Sequence, residues 1–184
     1  MKKAFCVLLL LAASSLLAQD KNPVTSAVKE ILPRQQKNLV GAADEMPAEK
    51  YNYKPTENQM TFGHLVLHVI ESNHLLCSKL SDAPQPKPAT PLKETDGKDK
   101  LVPALKASFD SCSTALGKID DSKLADEVEL FGGRKGSKAF ALLALSGGWA
   151  DHYSAAAICA ASRVLARTRL RLTRRLAPPV WSWK

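Results

Sequence analysis

The sequence contains no long apolar run and no alternation of apolar and polar residues bounded by turns. Such alternation is the pattern of a half-buried β-strand, and its absence predicts a chain without a β-sheet. A membrane-spanning helix needs about 20 apolar residues, and the apolar run from Ala4 to Leu11 is too short. We therefore expect an all-α protein with no transmembrane segment.

Motifs for common catalytic chemistry are also scarce. The chain has no Cys-X-X-Cys pair, no Gly-rich phosphate loop and no motif that pairs a nucleophile with a base. It has four histidines, and three of them, His64, His68 and His74, lie in one helical segment. We therefore treat the histidines and the cysteines as the first candidates for chemistry.

The N-terminal residues have the pattern of a secretory signal. Two lysines precede a short apolar run, and a small residue, Ala18, precedes the expected cleavage point. We expect residues 1–18 to be removed and the mature chain to be exported from a bacterium-like cell. The mature chain then divides into a body, residues 19–158, and a tail, residues 159–184.

Charge is placed very unevenly between the body and the tail. The tail holds six of the eight arginines and no acidic residue, although the whole chain has a formal net charge of +8. The body is close to neutral once the tail and the two N-terminal lysines are set aside. It therefore lacks the basic surface of a nucleic-acid-binding domain, and we expect no nucleic-acid partner for it.

Four segments of the body repeat apolar residues at helical spacing. We predict helices over residues 22–46, 60–80, 98–116 and from Ser137 onward. Thr61 and Ser137 are expected N-caps, and Pro33 predicts a kink or a late start of the first helix. Residues 82–97 have the proline-rich composition of a mobile surface linker. Four helices in one domain predict a four-helix bundle.

Three histidines are candidate metal ligands. His64 and His68 are one turn apart on the second helix, and His152 lies on the fourth. A bundle can bring residues of two helices together, and three imidazoles with one open position are the pattern of a catalytic metal site. The alternative interpretation is that these histidines are buried and hydrogen-bonded, or only exposed.

Three cysteines remain after removal of the signal. Cys77 lies in the last turn of the second helix, Cys112 lies on the apolar stripe of the third, and Cys159 begins the tail. In an oxidising compartment, two such cysteines favour a disulfide over reactive thiols. We predict a Cys77–Cys112 disulfide.

Several short motifs follow one another along the body: Pro-Ala-Glu-Lys-Tyr at residues 47–51, Lys-Pro-Thr-Glu-Asn-Gln-Met-Thr-Phe-Gly at residues 54–63, His68, and Asp151-His-Tyr-Ser. Their order and spacing resemble the DinB-like (damage-inducible) superfamily, most closely its exported bacterial branch. The resemblance covers roughly residues 22–158. It implies the DinB/YfiT-like metalloenzyme fold, a four-helix bundle that holds a divalent metal, often zinc or nickel, with three histidines.

The resemblance assigns ligands residue by residue. His68 matches the ligand of the second helix, and His152 matches the second histidine of a His-x-x-x-His pair on the last helix. The first histidine of that pair falls on Gly148, which has no side chain to coordinate a metal. His64, one turn before His68, is a candidate substitute that the family pattern does not contain.

The resemblance leaves three classes of function open. Family members include thiol-dependent transferases, so the first class is a metal-dependent hydrolase or thiol transferase acting on a small molecule. The second is a degenerate, non-catalytic bundle that binds a metal or small ligand. The third is an exported, stress-related interaction protein whose histidines are structural. A homodimer is left open.

The tail departs from the resemblance. Arginine occurs twice before residue 159 and six times after it. We hypothesise a reading-frame shift near residue 159, since a shifted frame in GC-rich DNA changes composition abruptly; sequencing the coding DNA tests this. The alternative is an authentic basic helix with Arg163, Arg167 and Arg171 near one face.

Overall fold

The computed structural model describes the backbone of residues 21–86 and 90–175, and the side chains of these residues as far as Cys159. This part of the chain contains four α-helices: α1 (Pro23–Glu45), α2 (Phe62–Ser81), α3 (Lys98–Leu116) and α4 (Lys138–Arg175). The predicted all-α, four-helix bundle is therefore confirmed. The predicted signal peptide, residues 1–18, lies outside the described residues.

The four helices enclose one apolar core. Both α1 and α2 pack against α3 and α4. The predicted stripe of α3 is fully buried, and it comprises Leu101, Leu105, Phe109, Cys112 and Leu116. Phe62 of α2 and Trp149 of α4 are among the largest fully buried side chains. The 3.6-residue apolar period therefore predicted which face of α3 turns inward.

Local signals fix the ends of the helices. The hydroxyl of Thr61 accepts a hydrogen bond from the N–H of His64 at 3.0 Å, and the hydroxyl of Ser137 accepts one from the N–H of Phe140 at 3.2 Å. Both predicted N-caps are therefore confirmed. α2 ends at Ser81, and the next residue, Asp82, has a φ of 54°, in the left-handed region.

The start of α1 is capped from a distant part of the chain. The carboxylate of Asp121 accepts hydrogen bonds from the N–H groups of Val24 and Thr25, each at 2.9 Å. In return, the amide oxygen of Asn22 accepts the N–H of Asp121 at 2.9 Å. α1 begins at Pro23 and continues through Pro33, so the alternative of a late start is wrong.

A short hairpin between α3 and α4 corrects the expectation of no β-structure. Strand β1 (Glu127–Glu129) pairs antiparallel with β2 (Lys135–Ser137), with Val128 opposite Gly136. Gly132 and Gly133 in the connection have φ values of 67° and 75°, which other residues rarely adopt. The hairpin escaped prediction because three-residue strands are too short to show alternation.

A disulfide joins α2 to α3. Cys77 and Cys112 are bonded, with their Cα atoms 5.2 Å apart, as predicted. Cys159 is free and buried. Within the described residues, no helix is both long and apolar enough to cross a membrane.

Candidate functional site

The imidazoles of His68 and His152 face each other between α2 and α4. Their ring centroids are 4.9 Å apart, and the ring planes are inclined at 77°. Both side chains are half-buried. The two candidate ligands from different helices, His68 and His152, are therefore in contact with each other.

Beside the two rings lies a cavity of about 190 Å³, which we call the histidine cavity. α2, the hairpin and α4 supply its lining: His68, Val69, Ser72, Asn73, Leu76, Phe131, Ala144, Leu145, Gly148, Trp149 and His152. The walls are mainly apolar side chains, and the polar atoms are few. Apolar walls with a few fixed polar groups are the composition of a small-molecule site, and the volume is below the roughly 300–1,000 Å³ of a typical one.

Gly148 opens this cavity next to His152. A Cβ atom built on Gly148 would lie 3.8 Å from Nε2 of His152 and within 4 Å of no other atom outside its own helical turn. A side chain at this position would therefore extend toward the imidazole nitrogen. This is the position where the resemblance implies a third histidine, and glycine leaves space there instead.

His64 does not join the pair. Its Nδ1 lies 2.7 Å from the carboxylate of Glu94, its side chain is about half exposed, and it is absent from the lining of the histidine cavity. The first turn of α2 directs the ring toward the segment before α3. In the described parts of the chain, no three His, Cys, Asp or Glu side chains are grouped so as to hold a metal ion.

Burial lowers the pKa of His152. Desolvation is the largest cause, the neighbouring His68 ring adds to it, and the charge of Asp151 opposes it. Oδ2 of Asp151 is 3.5 Å from Nδ1 of His152, but that carboxylate is largely exposed, so its influence is screened. His152 is therefore neutral at neutral pH, the form in which imidazole coordinates metals.

A buried amide forms the inner wall of the cavity, and sequence reasoning missed it. Asn73 accepts a hydrogen bond from Nε1–H of Trp149 at 2.8 Å and donates one to the hydroxyl of Ser108 at 2.9 Å. The Ser108 hydroxyl donates in turn to the carbonyl of Leu105 at 2.7 Å. The available signal was a single amide among the apolar stripe residues of α2.

A second unpredicted contact sets α4 against α2. Lys138, the first residue of α4, is almost completely buried. Its ammonium donates to the carboxylate of Asp82, just after α2, at 2.6 Å and lies 3.8 Å from that of Asp126. A buried ammonium needs such partners, and the contact fixes the end of α2 beside the start of α4.

The fold and the facing imidazoles define a four-helix bundle with a histidine-lined cavity. The model of the DinB superfamily matches residues 31–153, and the chain therefore belongs to the DinB superfamily. This confirms the family that the sequence motifs resemble. No curated protein matches this sequence significantly.

Two solved structures share the fold. A conserved protein of Enterococcus faecalis is 16% identical with a TM-score of 0.59, and the match covers 73% of this chain and 94% of that one. A DinB-like protein of Bacillus subtilis is 18% identical with a TM-score of 0.57, and the match covers 72% of this chain and 87% of that one. At these identities the likeness extends to the fold alone.

Proposed function

We propose that this protein binds one divalent metal ion, zinc or nickel, weakly through His68 and His152, and that a small molecule in the histidine cavity completes the site. The observation that carries the proposal is the contact of the two imidazoles, 4.9 Å between centroids, at the edge of that cavity. Imidazole nitrogen suits both metals.

The donor set supports a partial site. Two imidazoles are one fewer than the three protein ligands of a usual catalytic zinc site, and His64 is held by Glu94. We therefore expect affinity and occupancy below those of a three-histidine site. A metal bound here would supply Lewis-acid chemistry or an activated water, as a metal-dependent hydrolase or thiol transferase requires.

The other residues of the cavity have binding and shaping roles in this proposal. Val69, Leu76 and Leu145 exclude water from one side of the ligand, and Phe131 of the hairpin covers another. The amide of Asn73 is already held by Trp149 and Ser108, so it fixes the inner wall instead of moving with a ligand. The cavity therefore selects small, apolar molecules.

A second candidate function is a bundle that binds a small molecule without catalysis. Two observations favour it. Gly148 stands where the family pattern has a metal-binding histidine, and no three metal-binding side chains are grouped among the described residues. In this case the imidazoles would provide hydrogen bonds to the ligand. A stress-related interaction role would leave the cavity without any ligand.

We also propose that the chain is exported. The buried Cys77–Cys112 disulfide supports this, because disulfides persist in oxidising compartments and are rare in the cytosol. Cell fractionation that finds the full-length chain, with residues 1–18 intact, in the cytoplasm would contradict export.

Metal binding by protein purified without a His tag tests the main proposal. We expect about one zinc per chain in a calorimetric titration, and loss of that binding in His68→Ala and in His152→Ala with helicity retained. His64→Ala is the matched control and should bind as the parent does. If both cavity variants bind zinc like the parent, the proposal is wrong; if binding is absent in the parent, the non-catalytic candidate is favoured.

A further inference from the structure

A second concave surface shares His152 with the histidine cavity. It has a volume of about 460 Å³ and lies between the loop before α2 and the part of α4 from Asp151 to Cys159. We call it the loop groove, and its main lining comprises residues 58–62, Leu65, His152, Ala155, Ile158 and Cys159. Its volume lies within the range of roughly 300–1,000 Å³ that is typical of small-ligand pockets.

Two large apolar side chains of the loop groove are partly exposed in the described part of the chain. Met60 and Ile158, on opposite sides of the groove, expose 44% and 60% of their surface. The thiol of Cys159 is buried, and desolvation raises its pKa, so it contributes a neutral surface. Binding of an apolar ligand to such a concave, exposed apolar surface is favourable, because the ligand displaces water from it.

The loop that forms one wall is held in place. The N–H of Phe62 donates to the carbonyl of Tyr53 at 3.0 Å, and the N–H of Gly63 donates to the carbonyl of Tyr51 at 2.7 Å. Thr61 caps α2 from within the same loop. Met60 therefore lies in a loop whose end next to α2 is fixed by hydrogen bonds. This favours a groove that is formed before a ligand binds.

The described lining of the loop groove carries a negative charge and no positive one, which disfavours an anionic ligand. Among the residues that the structure describes, Asp151 is the one charged residue of the lining, and it is largely exposed at the rim. An anion would lose hydration and gain no cationic partner there, while an uncharged molecule meets no such cost. The rim offers the amides of Asn58 and Gln59 as hydrogen-bonding groups.

We propose that the loop groove binds an uncharged, largely apolar small molecule whose polar end lies at His152 and the rim amides. A second copy of this chain fits less well, because a stable interface buries about 800 Å² per partner and the exposed large side chains here are essentially Met60 and Ile158. The proposal goes beyond the proposed metal site and requires no metal.

Two dyes that differ by one sulfonate test the class of ligand. N-phenyl-1-naphthylamine is neutral, and 8-anilino-1-naphthalenesulfonate has the same aromatic skeleton with one negative charge. In fluorescence titrations of the purified protein with EDTA present, we expect saturable binding of one neutral dye per chain. We expect the anionic dye to bind at least about tenfold more weakly, a difference of about 1.4 kcal/mol. Equal affinity for the two dyes, or no saturable binding of the neutral one, would overturn the proposal.

A matched pair of substitutions on α4 tests the location. Ile158→Asp places a charge in the loop groove, whereas Leu143→Asp alters a residue of similar exposure, 62%, on the same helix outside the groove. We expect the first to weaken neutral-dye binding at least about tenfold and the second to change it less than about twofold, with unaltered circular dichroism in both. Equal effects of the two substitutions would contradict the location.

Two further outcomes separate this proposal from the alternatives. If Ile158→Asp instead converts a dimer to a monomer and the parent binds no dye, the groove is a contact between copies and the proposal is wrong. Because the dye titration contains EDTA, a protein that binds dye but no metal refutes the proposed metal site and leaves the loop groove supported.

Discussion

The two sides of the histidine cavity differ in how completely their polar atoms are bonded. On the inner side, the amide of Asn73 is buried and bonded to both Trp149 and Ser108. At the rim, His68 and His152 are half-buried and meet edge to face, and the carboxylate beside His152 is exposed. The inner side maintains the shape of the cavity, and the rim carries the two imidazoles of the proposed site.

A disulfide also reinforces the inner side of the cavity. The Cys77–Cys112 disulfide joins the two helices that the Asn73–Ser108 hydrogen bond joins, one turn farther along α2. Substitutions there should therefore change stability and leave ligand chemistry intact, whereas substitutions at the rim should do the opposite. The following predictions test that division in order of expected effect.

Removal of the disulfide should have the largest effect. The bond closes a loop between residues 35 apart in sequence. Loop-closure entropy predicts that Cys77→Ala/Cys112→Ala lowers the free energy of unfolding by ~4 kcal/mol. Urea denaturation measures this, and a loss below ~1 kcal/mol would show that the disulfide does not hold α2 to α3.

Asn73→Ala should have the next largest effect. It leaves the indole N–H of Trp149 and the hydroxyl of Ser108 without their buried partner, and we expect a loss of ~3 kcal/mol in the free energy of unfolding. Ser72→Ala, at the neighbouring half-buried position, is the control and should cost no more than ~0.5 kcal/mol. Equal losses in the two variants would remove the distinction between inner side and rim.

The smallest expected effect is a dependence of stability on pH. Burial lowers the pKa of His74, on the same helix, below its ordinary value of 6.5, against the charge of Glu71. Below pH 6.5 the unfolded chain therefore binds more protons than the folded chain, so stability should fall as the pH decreases from 6.5 to the lowered pKa. Urea midpoints at pH 7.5 and pH 5.5 measure this.

His74→Gln should reduce that dependence, because glutamine does not titrate. Asn73→Ala should leave it unchanged, since the inner wall has no titratable group. A His74→Gln variant whose midpoint shifts with pH as much as that of the parent would show that the burial of this ring does not differ between folded and unfolded states.

Short-range patterns in the sequence predicted most of the architecture. Apolar residues at helical spacing predicted the four helices, because burial of one face is what stabilises them. The hydroxyls of Thr61 and Ser137 predicted two N-caps, because such caps involve residues only three positions apart. The disulfide was predicted because Cys77 lies in the last turn of α2, Cys112 lies on the apolar stripe of α3, and an exported chain meets an oxidising compartment.

Other contacts between distant segments escaped prediction. The partners of Asn73, Lys138 and His64 come from other elements of the chain, and helical periodicity says nothing about which elements those are. The pairing of His64 with Glu94 is the clearest case. The sequence places His64 one helical turn before His68, but the ring of His64 lies against Glu94 in the segment before α3. His68 and His152 were identified because both lie at the edge of apolar stripes.

Zinc titration of a Gly148→His variant tests the central claim most directly. A Cβ at this position lies 3.8 Å from Nε2 of His152 with open space around it, so a histidine there can add a third imidazole to the pair. We predict zinc affinity at least about tenfold higher than that of the parent, and unchanged affinity in the control Gly148→Ala. A folded Gly148→His protein that binds zinc no better than Gly148→Ala would contradict a metal site at His68 and His152.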